Sequence, residues 1–329
     1  MRHSVTNQES SSFARFSTKS LRGILLPFTT PFKESGEIDL PALCSNIERW
    51  NETGISGYVA LGSTGERVHL DEREYVEVIE RAREVVPDGL AFIVGAGQQS
   101  TYATIKEVRR AAGAGADAVL VITPHFYRTA MTQGALAGHY MAVADASPVP
   151  VLLYSMPALT GVKLEPETVA SLSEHENIVG IKDSSDDLVK FAETLRLVPD
   201  DFAVVTGNGE VLYAALCAGA RGAILAVGCV APRQALAIYR AVLAGDRERA
   251  RRVQQRLTPL ARAVTVRYGI GGLKAALDLI GFAGGAVRAP LQAASRGARR
   301  EIARLLEEAA LSEEEMGRDE SRVAGASRQ

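Results

Sequence analysis

A chain of 329 residues, 47% hydrophobic and 23% charged, is long enough to bury a large core. It holds no run approaching the roughly 18 consecutive apolar residues of a membrane span. Its formal net charge of -2, with acids and bases interspersed, excludes the concentrated basic field that a nucleic-acid or membrane partner needs. The expected partner is a small molecule.

In chain order, residues 1–20 are rich in Ser and Thr and lack the apolar stretch of a secretory signal. Arg2, Arg15 and Lys19 would suit a transit peptide, but Glu9 and the short length count against one, so the segment reads as a disordered tail. Apolar runs then recur at 23–27, 58–61, 91–94, 118–122, 149–154, 178–182, 202–206 and 223–227. Most are apolar throughout rather than alternating, as parallel strands covered on both faces should be. Amphipathic segments lie between them. Pro41 follows Asp39 near the start of the first. Asp71 caps the next, with Glu74 at the capping-box position and Val76, Ile79, Ala82 and Val86 on one face. Ser100, Thr132, Pro166 and Glu210 open others.

Eight strand-and-helix units point to an α/β fold, a (β/α)8 TIM barrel, over residues 21–245. A doubly wound sheet is the alternative, but no Gly-rich nucleotide turn follows the first strand. Helical patterns at 247–264, 272–280 and 299–310 predict a C-terminal extension over 246–311, packed on the barrel or on another subunit. Residues 312–329 read as a second disordered tail. Cys44, Cys217 and Cys229 stand far apart with no CxxC or Cys/His cluster. That argues against a disulfide scaffold or structural zinc and for small core residues in a reducing cytoplasm.

Barrel active sites form at the C-terminal ends of the strands. Strand two runs into Gly62-Ser63-Thr64-Gly65-Glu66, strand five ends in Tyr154-Ser155-Met156-Pro157, and strand six in Gly180-Ile181-Lys182-Asp183-Ser184. Lys182 closes an apolar strand, so its amine belongs at the barrel mouth. Burial or a nearby cation would make such an amine a nucleophile toward a carbonyl. Alone, it reads as readily as a lysine paired with Asp183 or holding a phosphate. Tyr154 on the adjacent strand shifts the balance, because Schiff-base chemistry needs a proton carrier beside the amine. In isolation it would also pass for a core tyrosine. Ser63 and Thr64 lie in a Gly-flanked turn whose N–H groups and hydroxyls suit a carboxylate. The missing Gly-Lys-Ser/Thr ending excludes a P-loop. Glu66 reads as a helix-start residue.

Together these segments resemble the dihydrodipicolinate synthase/N-acetylneuraminate lyase family of class I aldolases. Gly62-Ser63-Thr64-Gly65-Glu66 is similar to its GxTGE loop, Tyr154-Ser155-Met156-Pro157 to its YNxP segment, and Gly180-Ile181-Lys182-Asp183-Ser184-Ser185 to its GxKDxS strand. Thr30-Pro31-Phe32 and Thr123-Pro124 also fit, and the similarity runs over residues 21–310. The resemblance implies a lyase with Lys182 as Schiff-base lysine, Tyr154 as proton donor and acceptor, and Ser63 and Thr64 on the carboxylate of pyruvate. It implies carbonyls of Gly207 and Ile224 near the pyruvyl group, no metal, no cofactor, and a homotetramer or homodimer in the cytoplasm.

Departures from the family pattern bear on the second substrate, an aldehyde. Leu159 stands where the synthases place an arginine for the carboxylate of aspartate semialdehyde, and an apolar side chain cannot replace a bidentate donor. Phe126, with Tyr127 beside it, replaces the tyrosine that family members lend to a neighbouring subunit. The Asp-Glu pair of the neuraminate lyases becomes Gly209-Glu210, which leaves Glu210 as a substrate contact, and Ser184 is a further contact at the mouth. Tyr154-Ser155, Ser147-Pro148-Val149-Pro150, and Arg267-Tyr268-Gly269-Ile270 through Arg288-Ala289-Pro290-Leu291 look most like 4-hydroxy-2-oxoglutarate aldolases. The expected reaction is therefore cleavage of a 4-hydroxy-2-oxoglutarate-type or 2-keto-3-deoxy acid, with dihydrodipicolinate synthase as the alternative. A catalytically silent metabolite-binding barrel is the alternative of another class. A phosphate-binding isomerase would need a fuller Gly-rich turn than Gly207-Asn208-Gly209 and Gly228 provide.

Overall fold

In the computed structural model, which describes residues 16–311, all eight apolar runs become parallel strands of one closed barrel. The strands are β1 (Gly23–Leu26), β2 (Gly57–Ala60), β3 (Ala91–Ala96), β4 (Ala118–Ile122), β5 (Val151–Ser155), β6 (Ile178–Asp183), β7 (Ala203–Thr206) and β8 (Gly222–Ile224). Each pairs with the next, and β8 closes on β1 through Leu25 beside Ile224. The connecting helices are α1 (Leu40–Asn51), α2 (Glu72–Val85), α3 (Thr101–Gly113), α4 (Gln133–Ala146), α5 (Pro157–Thr160), α6 (Pro166–Leu172), α7 (Leu188–Leu197), α8 (Leu212–Ala218) and α9 (Pro232–Leu243). The fold is a (β/α)8 barrel.

The helix starts follow from local chemistry. Asp39, Ser100 and Thr132 each accept a hydrogen bond from a backbone N–H in the first turn, which satisfies one of the orphan donors there. At α2 the bonds are reciprocal: Asp71 Oδ1 accepts from Glu74 N at 2.8 Å, and Glu74 Oε2 accepts from Asp71 N at 3.0 Å.

Two apolar layers hold the barrel. The interior is filled by Leu25, Val59, Ile93, Leu120, Leu152, Val205 and Ile224, with Phe16 and Leu21 in the same cluster. The outer layer packs the other strand faces against the helices. Phe16 lies among the residues expected to be a tail, yet it is buried against the interior, because an aromatic ring beside an open barrel end gains by covering it. The end of the same expected tail is ordered too, as a short helical turn over Thr18–Leu21, while residues 1–15 and 312–329 lie outside the described residues. β8 is shorter than its apolar run: Val227 accepts turn bonds from Val230 and Ala231, and the chain coils over Ala226–Cys229. An apolar run does not distinguish a strand from a buried turn.

The extension consists of α10 (Arg247–Arg262), α11 (Gly269–Leu279) and α12 (Arg296–Ala309), with one wide π-type turn over Ala263–Arg267. α10 packs on α8 and α9, and α12 on α10 and α11. Of the cysteines, only Cys229 is a core residue. Cys217 is exposed and Cys44 half-buried, which corrects the expectation of three core thiols, since both sit on outward parts of their helices. Among the described residues no helix is long and apolar enough to cross a membrane.

Candidate active site

Strand register sets the reactive pair. Tyr154 on β5 lies beside Lys182 on β6, and Lys182 beside Val205 on β7, so both side chains share the interior level of the barrel mouth. Lys182 is 5% exposed and Tyr154 3%. The Lys182 Nζ lies 4.5 Å from the centre of the Tyr154 ring. Ser63 Oγ, from the loop after β2, meets Tyr154 Oη at 3.2 Å. Burial pushes the Tyr154 phenol up; the Lys182 cation and donors on Ser63, Ser184 and Lys182 favour the phenolate more strongly, and the net shift is downward. A phenol poised in this way can give and take a proton beside the amine.

The loop that carries Ser63 is tightly built. It turns over Ser63–Gly65, with Gly65 N donating to Gly62 O at 3.0 Å and Glu66 N to Ser63 O at 3.2 Å. Leu61 (φ 53°) and Glu66 (φ 56°), at its two ends, are non-glycine residues in the left-handed region. Such strain persists only where the surroundings over-determine it, and it concentrates at functional sites. Thr64 is buried inside the loop.

Gly207, just after β7, is required by proximity. A Cβ there would stand 1.9 Å from Ser184 Oγ and 2.6 Å from Lys182 Cε. Its N–H donates to Asp183 O at 2.6 Å, which ties the end of β6 to the start of the next loop. Ser184 Oγ is buried without a well-directed hydrogen-bond partner, as suits a group that completes its bonding on a ligand. Ile224 lies in the interior cluster at the end of β8. Lys182, Tyr154, Ser63, Thr64, Ser184, Gly207 and Ile224 thus all stand at the C-terminal strand ends.

Glu210 is different. Its carboxylate is engaged by the Arg262 guanidinium, with Nη2 to Oε2 at 2.6 Å and Nε at 2.8 Å. Glu210, expected as a substrate contact, is thus paired with an arginine from the extension. Glu66 does open the short helical turn Arg67–His69, as expected, but its side chain is buried: it is 2% exposed, and its Oε1 lies 2.6 Å from the Nζ of Lys274, itself 2% exposed. Lys274 was not legible as a site residue, although a lone lysine in the apolar stretch Gly271-Gly272-Leu273-Lys274-Ala275-Ala276-Leu277 is an available signal. Leu159 is 61% exposed on α5, at the rim. Two residues on, a Cβ at Gly161 would stand 3.0 Å from Arg128 Cδ and 3.1 Å from its Nη1. The Arg128 side chain makes no ion pair or hydrogen bond among the described residues, and nothing in its local sequence marks this placement. Phe126 and Tyr127 are exposed, and Gln99 Oε1 holds their loop by accepting from His125 N and Phe126 N at 2.9 and 2.8 Å. Among the described residues no group of three or more His, Cys, Asp or Glu side chains is placed to share a metal ion.

Comparison with known proteins shows the family. Residues 20–309 match the family described as the dihydrodipicolinate synthetase family. A 4-hydroxy-tetrahydrodipicolinate synthase of Exiguobacterium is 36% identical over 269 residues, covering 82% of this chain and 91% of that protein. The synthase of Methanothrix thermoacetophila is 38% identical over 273 residues, covering 82% and 90% respectively. The crystal structure of dihydrodipicolinate synthase from Thermotoga maritima superposes with a TM-score of 0.84 at 34% identity, covering 88% of this chain and 99% of that one.

Proposed function

The chain belongs to the dihydrodipicolinate synthetase family of carbon–carbon lyases, and we propose that it joins pyruvate to an aldehyde through a Schiff base on Lys182. The observation that carries this reading is the register of β5 and β6, which sets the Tyr154 phenol against the Lys182 amine with Ser63 on the phenol oxygen.

The neutral amine attacks C2 of pyruvate, and the carbonyl oxygen leaves as water after two proton transfers, which Tyr154 serves. Loss of a C3 proton from the iminium gives an enamine. The enamine forms the new carbon–carbon bond to the aldehyde carbon, whose oxygen takes up a proton, and one water then hydrolyses the resulting iminium, returning the carbonyl oxygen to the adduct and the free amine to Lys182. Ser63, Thr64 and the N–H groups of their turn hold the carboxylate. Ser184 and the carbonyls of Gly207 and Ile224 line the pyruvyl group. Glu210, occupied by Arg262, is left out of this pocket.

For the second substrate, the relatives favour 4-hydroxy-tetrahydrodipicolinate synthase over the 4-hydroxy-2-oxoglutarate-type aldolase to which the sequence leaned. Arg128 supports the same reading. Leu159 removes one guanidinium from the rim, and Arg128 sets another against Gly161 in the same segment, unpaired and available to the carboxylate of aspartate semialdehyde. Leu159 itself keeps cleavage of a 2-keto-3-deoxy acid as the second reading, because an apolar rim suits an aldehyde that carries no carboxylate there.

The test is to incubate the protein with pyruvate, reduce with borohydride and map the adduct by peptide mass. No adduct at Lys182 overturns the mechanism, and an adduct without turnover on any aldehyde points to a silent metabolite-binding barrel. Consumption of aspartate semialdehyde is then compared with pyruvate release from 4-hydroxy-2-oxoglutarate and from 2-keto-3-deoxy acids. Under the synthase reading, Arg128→Met raises KM for the semialdehyde about 10- to 100-fold and leaves KM for pyruvate unchanged.

A further inference from the structure

Helix α11 reaches across the barrel rim to the loop after β2 through a buried cation. Lys274 Nζ donates to Thr30 O at 2.7 Å and to Ala286 O at 2.6 Å, and it stands 2.6 Å from Glu66 Oε1. The Thr30 hydroxyl in turn donates to Gly65 O at 2.8 Å. Lys274, Glu66, Gly65 and Thr30 therefore close a ring that clamps the last residues of the Ser63–Gly65 turn from two sides. The other carboxylate oxygen, Glu66 Oε2, accepts from Arg288 N at 3.1 Å and faces His69 Nδ1 at 3.2 Å. From Glu66 the bonding continues through its N–H to Ser63 O, and from the Ser63 hydroxyl to Tyr154 Oη.

We propose that Lys274 and Glu66 form a positioning pair through which the C-terminal helices set the Ser63–Gly65 turn for the substrate carboxylate. The proposal rests on the reading that this turn holds the carboxylate of pyruvate. Two arguments carry it. A buried ion pair adds little net stability compared with apolar residues of the same volume, so its worth here lies in what it holds in place. It holds the carboxylate of a left-handed Glu66, one residue beyond a turn whose N–H groups must converge on an anion. The second argument is charge. A bare carboxylate two residues from Thr64 would repel an incoming carboxylate, and Lys274 cancels that repulsion without itself reaching the substrate.

The experiment follows borohydride-trapped adduct at Lys182 against pyruvate concentration, beside steady-state KM and kcat. Lys274→Met should raise half-saturation by pyruvate about 10- to 100-fold, while trapping at saturating pyruvate stays within a few-fold of the parent. Adding Glu66→Gln should recover part of the lost affinity, because the repelling charge is gone. That double variant buries no unpaired charge, so it carries the measurement if Lys274→Met does not fold. Asn46→Ala is the control. Asn46 exchanges hydrogen bonds with Ala283 O at 2.8 Å and Ala283 N at 2.9 Å, anchoring the segment after α11 without touching the turn. It should lower Tm and leave half-saturation by pyruvate unchanged. Equal shifts in half-saturation for Asn46→Ala and Lys274→Met, or a fall in kcat with no shift in half-saturation, overturns the proposal. Ser63→Ala and Thr64→Val test the underlying reading separately: unchanged pyruvate affinity in both would mean that the turn does not hold the carboxylate at all.

Discussion

Gly207→Ala is the smallest change that should reach the reacting amine. The added Cβ would lie 1.9 Å from Ser184 Oγ and 2.6 Å from Lys182 Cε, whereas ordinary Cβ contacts begin at 3.4 Å. Ser184 can rotate away. Lys182 must shift its Cε by about 0.8 Å, the difference between 3.4 and 2.6 Å, which carries the amine off its approach to the carbonyl. Misplacing a reacting group by about 1 Å costs about 100-fold in rate, or about 2.7 kcal/mol of activation free energy. The assay is the rate of trapped adduct formation with pyruvate, read by peptide mass at Lys182, together with kcat/KM and Tm. We expect adduct formation to slow about 100-fold with a modest drop in Tm. A Gly207→Ala/Ser184→Gly double variant removes both Ser184 contacts, Oγ at 1.9 Å and Cβ at 3.0 Å, but not the contact with Lys182, so it should recover little of the rate. Wild-type adduct formation in Gly207→Ala would show that Lys182 does not need its present position, and the reasoning from proximity would fail.

Three further outcomes are expected. Ser63→Ala removes a donor that favours the Tyr154 phenolate, so the phenol pKa rises and the basic limb of the kcat profile moves to higher pH; an unmoved limb would contradict the proton role of Tyr154. His139 is held at about 4 by burial, below the ordinary 6.5, so the folded state binds its proton less readily than the unfolded state does. Stability from this group is full above pH 6.5 and is lost as pH falls toward 4; urea midpoints should show that slope in the parent and a flatter one in His139→Asn. Asp71→Ala, which opens the capping box of α2, should cost about 1 kcal/mol and lower Tm by about 2 °C. An unchanged Tm would mean that solvent replaces the cap.

Much of the barrel and of its reactive centre is legible before folding because both rest on short-range order. Apolar runs such as 118–122 specify strands buried on both faces, and Asp71, Ser100 and Thr132 announce their helices through bonds spanning three residues. Lys182 and Tyr154 are legible because each closes a strand, and a strand of a barrel delivers its last inward residue to the mouth.

The rest depends on which distant groups the closed barrel brings together. Glu66 and Lys274 are separated by more than half of the chain, and nothing local to the Gly65-Glu66 segment shows that its carboxylate turns inward to meet an ammonium. The engagement of Glu210 by Arg262, the placement of Arg128 beside Gly161 and the burial of Phe16 belong to the same class. Sequence by itself determined the strands, the helix caps and the identity of the reactive pair, since periodicity and capping act within a few residues. Tertiary structure alone decided which charges neutralise one another and which remain free at the rim. A long side chain has many rotamers, and it settles only where packing both removes water and supplies a partner.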